Sequence, residues 1–488
     1  MCSARRPARV AVVGAGPAGF YTAIELAKEA KANEDLRFQV DILDRLPVAG
    51  GLVRSGVAPD HPDVKAVQNR FRQFLIDQEG AEERVRFFGN VAVGLLPGQD
   101  SLVQERDSVL HVSLPALRMC YDAVVLCCGS EADKRLRIPG SDLQGVFSAG
   151  EFVRHFNAGT PPAYDGDDSH LRFDLHHTKK VAVIGHGNVG LDIARVILKG
   201  PDVLKTTDIT ERALKTLKSS TVSEVHLFGR RGPGQMAFSN KELREMFDDI
   251  EKPTVYARKA HILELNEASK EEVEASRPRK RMLQLIAKRA KLLTEEEMDQ
   301  RLQSADGEPD GGRATFLHFF SSPVAYSGVD GRLTSVEFER TALTGEAGRQ
   351  GARGTGEKYR IDGCSAVFES IGYEVMPLQG VPLERGRAAH CGEGRLVDGE
   401  ARQPLQGLFV SGWFKRGPGG IIGTNIWDAK ETVRVFVEDL RAGKIPLSDK
   451  QPFYEGIDDL CKETGTSGLV GLQRSLAIEE AEEVRGKP

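Results

Sequence analysis

Apolar positions along the chain fall into short runs that end in glycine, each followed by a stretch with helical spacing. Val10, Ala11, Val12 and Val13 form the first run, after which Tyr21, Ile24 and Leu26 recur at near-helical intervals, so Arg9 to Ala27 is predicted as strand, turn and helix. FQVDILD is a second strand, ending in Asp44. Val67 to Phe74 has the alternation of an amphipathic helix, VRFFGNVAVG reads as a strand with a turn, and YDAVVLCCGS (Tyr121 to Ser130) as a buried parallel strand. The order then repeats. Val181 to Ile184 precedes a glycine turn and a helix, PDVLKTTDITERALKTLKSS is helical, EVHLFG is the next strand, and GCSAVFESIGYEVMP (Gly363 to Pro377) is a second glycine-ended strand. GLFVSGWFKRGPGGIIGTNIWDAKETVRVF gives a strand, a glycine-rich turn holding Trp413, and a helix from near Thr424.

The glycines between strand and helix have separate steric tasks. Gly14 allows the tight turn, Gly16 lets a pyrophosphate approach the backbone, and Gly19 lets helix and strand close together, with phosphates at the helix N-terminus. Asp44 then ends the next strand, where an acid holds a ribose hydroxyl. Gly185, Gly187 and Gly190 repeat the spacing, but the strand that answers them ends in Arg230 and Arg231. Paired guanidiniums favour a 2′-phosphate through forked, charge-assisted bonds, so NADP is expected here in place of NAD. Two fingerprints predict an α/β chain with two Rossmann-like dinucleotide-binding domains, the NADP domain inserted in the first. The expected division is residues 1–150, 151–400 and a return over 401–488.

With 488 residues, 28% charged and a net charge of -5, the chain reads as a soluble protein of two or three domains, with no apolar run that spans a bilayer. Its seven cysteines form no C-x-x-C pair, which points to a reducing compartment and away from an iron-sulfur centre or redox dithiol in this chain. The start, MCSARRPA, is basic and acid-free, and both a short matrix-targeting tail and an ordinary disordered start fit it. RLPVAGGLVRSGVAPDHPDVK is expected as an ordered loop over the cofactor, with His61 either relaying a proton or bonding structurally. SRPRKRMLQLIAKRAK carries Arg277, Arg279, Lys280, Arg281, Lys288, Arg289 and Lys291 without an acid. Met282, Leu285, Ile286 and Leu293 are placed on one face of its helix, leaving the basic face to solvent or to an acidic protein. Absent aromatics argue against nucleic acid. Asn157 to Ser169 is expected as a connector, and Ser304 to Arg313 and Thr344 to Gly356 as mobile hairpin tips.

GAGPAG, GLVRSGVAPDHP, GHGNVGLDIAR, GRRGPGQMAFSNKELRE and GWFKRGPGGIIGTN follow one another in an order that resembles the adrenodoxin reductase family, the NADPH:ferredoxin oxidoreductases of mitochondria and some bacteria. The resemblance covers most of Arg9 to about Gly443. It implies FAD at the first fingerprint, touched by Ala18, Asp44, Leu52 and Val93. NADP contacts are implied at His186, Gly187, Asn188, Val189, Arg230, Arg231 and Glu242. Trp413, Gly420, Ile421 and Ile422 are implied at the flavin, with Gly420 near the nicotinamide. His61 and Asp192 are linked to coupling between domains or proton handling, and no metal ligand set is implied. Asp44 stands where the family more often has Glu, Gly190 where Ala is common, and Gly419 where Thr is usual. The implied activity passes electrons from NADPH via FAD, singly, to a [2Fe-2S] ferredoxin of the adrenodoxin type, with the basic island steering that acidic partner. A monomer in the mitochondrial matrix is expected, with the cytoplasm as the alternative. The rival readings are another NADPH flavoprotein with a different acceptor, and a protein that binds FAD and NADPH without turnover. The tail after about Lys450 carries no matched motif.

Overall fold

Strand Ala8–Val13 lies inside an eight-stranded sheet because its side chains find apolar partners on both faces. Val10 and Val12 meet Phe20, Ala23 and Leu26 of helix Pro17–Ala32 and Ala429, Val433 and Phe436 of helix Thr424–Arg441. Ala11 and Val13 meet Leu117, Val124 and Val410 on the opposite face. Each such side chain contributes about 1.5–3 kcal/mol on full burial, so the run reads as continuously apolar where a one-faced strand would alternate. The strand order is His390–Cys391, Arg395–Val397, Pro404–Val410, Ala123–Leu126, Ala8–Val13, Phe38–Leu43, Val85–Gly89, Val470–Gly471. Its central strands are parallel, and its outermost ones antiparallel. The computed structural model describes residues 6–79, 85–94, 109–130, 132–157, 175–248, 254–303, 312–445 and 468–485, with residues 173, 250, 447 and 457.

The second sheet has seven parallel strands in the order Lys291–Leu293, Thr254–Arg258, Ala314–His318, Glu224–Phe228, Lys180–Ile184, Cys364–Glu369, Val146–Ser148. Helices cover one face. The other is covered by a three-stranded antiparallel sheet, Ser321–Val329, Arg332–Thr344 and Gly351–Asp362, whose Val336, Phe338 and Ile361 cluster with Phe228, Phe316 and Val367, joined by Met298 and Leu302 of helix Glu295–Gln303.

The second sheet interrupts the first, as expected, but the crossings differ from 150 and 400. Val146–Ser148 pairs with Val367–Glu369, and Ser148 caps helix Ala149–Phe156 through a reciprocal bond pair with Glu151, so this strand and helix form one unit on the second sheet. Chain return is complete before residue 401, since His390–Cys391 and Arg395–Val397 already extend the first sheet. The two connections run side by side, Tyr373–Glu374 pairing antiparallel with Ala132–Asp133.

Two further expectations are corrected. Helix Arg277–Arg289 stops before Leu293, which lies in strand Lys291–Leu293 paired with Tyr256–Arg258. The turn between Thr344 and Gly351 is a hairpin tip, but an anchored one: Gln350 is buried and donates to Ser269 Oγ and Glu272 Oε1, both at 3.0 Å. Most of the 157–169 connector and residues 304–311 fall outside the described residues. Of the tail, Val470–Gly471 closes a sheet edge against Phe88 and Gly89. Helix Leu472–Arg485 then pairs Glu482 with Arg54, and Gln68 Nε2 donates to its Glu479 at 3.2 Å.

Candidate active site

Parallel strands of the first sheet end together at Val13, Leu43 and Leu126, and the loops beyond them open a cavity of about 580 Å³ shared with the second sheet. Open parallel sheets bind ligands at this edge. Gly14, Gly16 and Ala18 form one wall. Gly14 has φ +109°, and a Cβ on it would stand 2.5 Å from the Cys127 carbonyl oxygen, so only glycine fits this turn. A Cβ on Gly19 would stand 1.9 Å from Gly14 O; Gly19 sets helix packing and does not line the cavity. No side chain caps helix Pro17–Ala32 at Gly16, which leaves its first N–H groups to an anion. Asp44 Oδ2 accepts from Ala15 N at 2.6 Å and Oδ1 from Leu46 N at 2.9 Å, pinning the carboxylate beside the fingerprint. Leu52 and Val93 add apolar wall.

Asn188, Val189 and Glu242 line the cavity from the second sheet. Helix Asn188–Lys199 begins at Gly187, again without a side-chain cap, and a Cβ on Gly187 would meet open space. A Cβ on Gly190 would stand 2.8 Å from Gly185 O, so the Ala common in the resembling family needs a small shift of this turn. His186 supports the turn from behind. Burial pushes its pKa down to about 4, and the neutral ring donates Nε2–H to Leu227 O at 3.1 Å. Arg230 and Arg231 lie outside the cavity wall with exposed side chains. Their carbonyls are held by Thr341 Oγ1 at 2.7 Å and Phe320 N at 3.3 Å. Among the described residues neither guanidinium has a hydrogen-bond or ion-pair partner.

A third wall comes from the turn after strand Pro404–Val410. Trp413 Nε1 donates to Gly419 O at 2.8 Å, and Arg416 donates to Asp428 Oδ2 at 2.6 Å and Asn425 Oδ1 at 3.2 Å. Gly420, Ile421 and Ile422 are thereby presented to the cavity. A Cβ on Gly419 meets nothing within 4 Å, so the Thr usual in the resembling family fits here. Tyr373, Met376 and Leu378 also line the cavity, with the Tyr373 ring 6.0 Å from that of Trp413. Sequence reasoning missed these three, although they directly follow the glycine-ended strand it found.

His61 and Asp192 stand behind Glu242, off the cavity wall. They belong to a buried ionic cluster around Arg195, which is fully shielded from solvent. Arg195 donates to Asp60 (2.7 and 3.1 Å), Asp192 (2.7 Å) and Glu242 (3.2 Å), while Lys199 holds Asp60 at 2.9 Å. His61 Nε2 is 2.7 Å from Glu245 Oε2 and 3.6 Å from Glu242 Oε2. Asp60 and His61 come from the Pro/Gly-rich loop of the first unit and the others from the second, so the cluster joins the two. Although burial opposes it, hydrogen bonding to Arg195 holds the Asp60 carboxyl far below the ordinary range. Burial raises Asp192, and burial together with the Asp192 charge pushes Glu242 up to about 8. His61, Glu242 and Glu245 are also close enough to hold a metal ion, but Arg195 already supplies the counter-charge there.

The protein-family model for pyridine nucleotide-disulphide oxidoreductase matches residues 8–227. The mitochondrial NADPH:adrenodoxin oxidoreductase of Arabidopsis thaliana is 39% identical over 90% of this chain and 83% of its own length. The NADPH-ferredoxin reductase FprA of Mycobacterium tuberculosis is 36% identical over 90% and 85%. The structure of FprA in complex with NADPH superposes with a TM-score of 0.81 at 33% identity, covering 99% of this chain and 96% of that one. The chain belongs to the adrenodoxin reductase family.

Set beside that family assignment, the basic island needs revision. Arg279 pairs with Glu272 (2.8 Å), Lys280 with Glu274 (2.6 Å) and Arg289 with Asp248 (2.6 Å), so three of the island's seven cations are neutralised by acids outside it. Arg277, Arg281 and Lys288 are exposed. The first fingerprint fits the FAD of an adrenodoxin reductase, and its steric limits give a direct test. Gly14→Ala is expected to yield protein with less than about a tenth of the wild-type flavin per chain, read from the visible absorption of the purified protein, because the added methyl displaces the Cys127 backbone that walls the site.

Proposed function

We propose that this chain passes electrons from NADPH, via FAD, one at a time to an iron-sulfur ferredoxin. The observation that carries this reading is one cavity lined by residues of both fingerprints, with the Trp413 turn across it. Bound FAD supplies the conversion between a two-electron hydride donor and a one-electron acceptor. The protein binds and orients. N–H groups at the start of helix Pro17–Ala32 meet one pyrophosphate and those at Asn188–Lys199 the other, while Asp44 holds a ribose. Arg230 and Arg231 take the 2′-phosphate. Ile421, Ile422 and Trp413 keep water from the reacting rings, and Glu242 exchanges protons with the cavity it lines, while His61 stays hydrogen-bonded to Glu245 behind it. Anaerobic titration tests the donor: NADPH should bleach the bound flavin at near-stoichiometric addition, and bleaching by NADH alone would refute the reading.

A ferredoxin partner places weight on Arg281 and Lys288, exposed on one helix. Charge reversal at both is expected to raise the apparent KM for an acidic [2Fe-2S] ferredoxin by roughly 5- to 20-fold at low salt, with the effect shrinking by 0.3 M salt, about where the Debye length falls below 6 Å. An unchanged KM would remove the island from docking. Relatives are named from mitochondria and from bacteria, and no described helix is long and apolar enough to cross a membrane. Kinship with the mitochondrial proteins supports a matrix location, which fractionation of the source cell would test.

A further inference from the structure

Arg231 is followed at once by Gly232 and the Pro233–Gln235 turn, against which helices Glu267–Glu274 and Arg277–Arg289 both pack. Gln235 is buried, and its Nε2 donates to Glu272 Oε2 at 3.1 Å. Glu272 is buried too. Its Oε2 also accepts from Arg279 at 2.8 Å, and its Oε1 accepts from Gly348 N at 2.8 Å and Gln350 Nε2 at 3.0 Å. One carboxylate thus gathers three things: the turn that follows the arginine pair, the anchored hairpin tip, and the first turn of the basic helix.

We propose that Arg279 is a third cationic ligand for the 2′-phosphate of NADP(H), and that Glu272 is the residue that positions it. The inference rests on the NADPH reading above. Arg279 reaches Glu272 through one nitrogen, so much of its five-donor fork stays available, and its side chain keeps 37% exposure. Besides burial, the Arg230 and Arg279 guanidiniums hold Arg231 below the ordinary arginine range, opposed by Glu272. Three guanidiniums, of which only Arg279 is paired with Glu272, leave a positive excess that a phosphate dianion satisfies. Serving ferredoxin instead, Arg279 would have no reason to be bonded to the same carboxylate as Gln235.

Holoprotein carrying Arg279→Gln, and separately Arg279→Lys, is titrated with NADP⁺, 2′,5′-ADP and NAD⁺, followed by flavin absorbance and calorimetry, and the ferredoxin KM is measured alongside. Arg279→Gln is expected to weaken NADP⁺ and 2′,5′-ADP by roughly 5- to 20-fold, with NAD⁺ and the ferredoxin KM within twofold of wild type. Arg279→Lys should fall between, because it keeps charge and loses the fork. Glu272→Gln should weaken NADP⁺ but not NAD⁺, by less than Arg279→Gln. Unchanged NADP⁺ affinity, equal weakening of NAD⁺, or a rise confined to the ferredoxin KM would each overturn the proposal. The Arg230→Ala, Arg231→Ala double variant run in parallel separates the two levels. If it loses NADP⁺ while Arg279→Gln does not, only the role of Arg279 fails; if it keeps NADP⁺, the NADPH site itself is misassigned.

Discussion

Replacing Arg230 and Arg231 together by alanine is expected to lower kcat/KM for NADPH by roughly 10²- to 10⁴-fold while changing that for NADH by less than about threefold. Charge-assisted hydrogen bonds contribute about 1.5–3 kcal/mol each, and 1.4 kcal/mol is a factor of ten, so two such partners account for this range. Loss should appear in KM with little change in kcat, because the 2′-phosphate is remote from the reacting ring and is held equally before and during reaction. Nothing in the fold opposes the substitution. Both side chains are exposed, and the bonds that hold this loop, from Thr341 Oγ1 and Phe320 N, go to main-chain carbonyls. Parallel losses for NADPH and NADH would place the pair in general binding and remove the basis for coenzyme choice.

The second large effect is on stability. Arg195→Met keeps much of the side-chain bulk but removes the cation that Asp60, Asp192 and Glu242 surround. Breaking a buried ion pair from one side costs about 3–5 kcal/mol, and this loss should appear as an earlier urea midpoint for flavin release. Its pH dependence has a definite sign. Asp192 and Glu242 already have raised folded-state pKa values, Glu242 near 8, and losing Arg195 raises them further. Between the ordinary carboxylate range and pH 8 the folded state then retains protons that the unfolded chain has released, so stability falls as pH rises. Asp60 acts with the same sign: its depressed pKa stabilises the wild type above the ordinary carboxylate range, and the variant gives up part of that contribution. The deficit of the variant is therefore expected to be smallest near pH 5 and to grow toward pH 8. A deficit independent of pH would mean that the cluster is held by packing and not by charge.

What could be read from the sequence is what local sterics enforce. Gly14 and Gly19 are demanded by atoms a few residues or one strand away, so the first fingerprint announces itself, and the acid or the arginines are then found at the end of the strand that follows each fingerprint. The Trp413 turn was visible for the same reason. Domain crossings were misplaced because Val146–Ser148 and His390–Cys391 have three and two residues, too few to show a period. The Arg195 cluster was not legible as a cluster, since Asp60 and Arg195 meet across 135 positions. Likewise the basic island looked uncompensated because Asp248, Glu272 and Glu274, which pair with it, lie outside the stretch that was read as one helix.

The most direct test of the central claim is NADPH-dependent reduction of cytochrome c by the purified yellow protein, with and without an added [2Fe-2S] ferredoxin and with NADH in parallel. The account predicts strong stimulation by the ferredoxin and a large preference for NADPH. Flavin reduced by NADPH with no ferredoxin stimulation at any concentration, or equal rates with NADH, would contradict it.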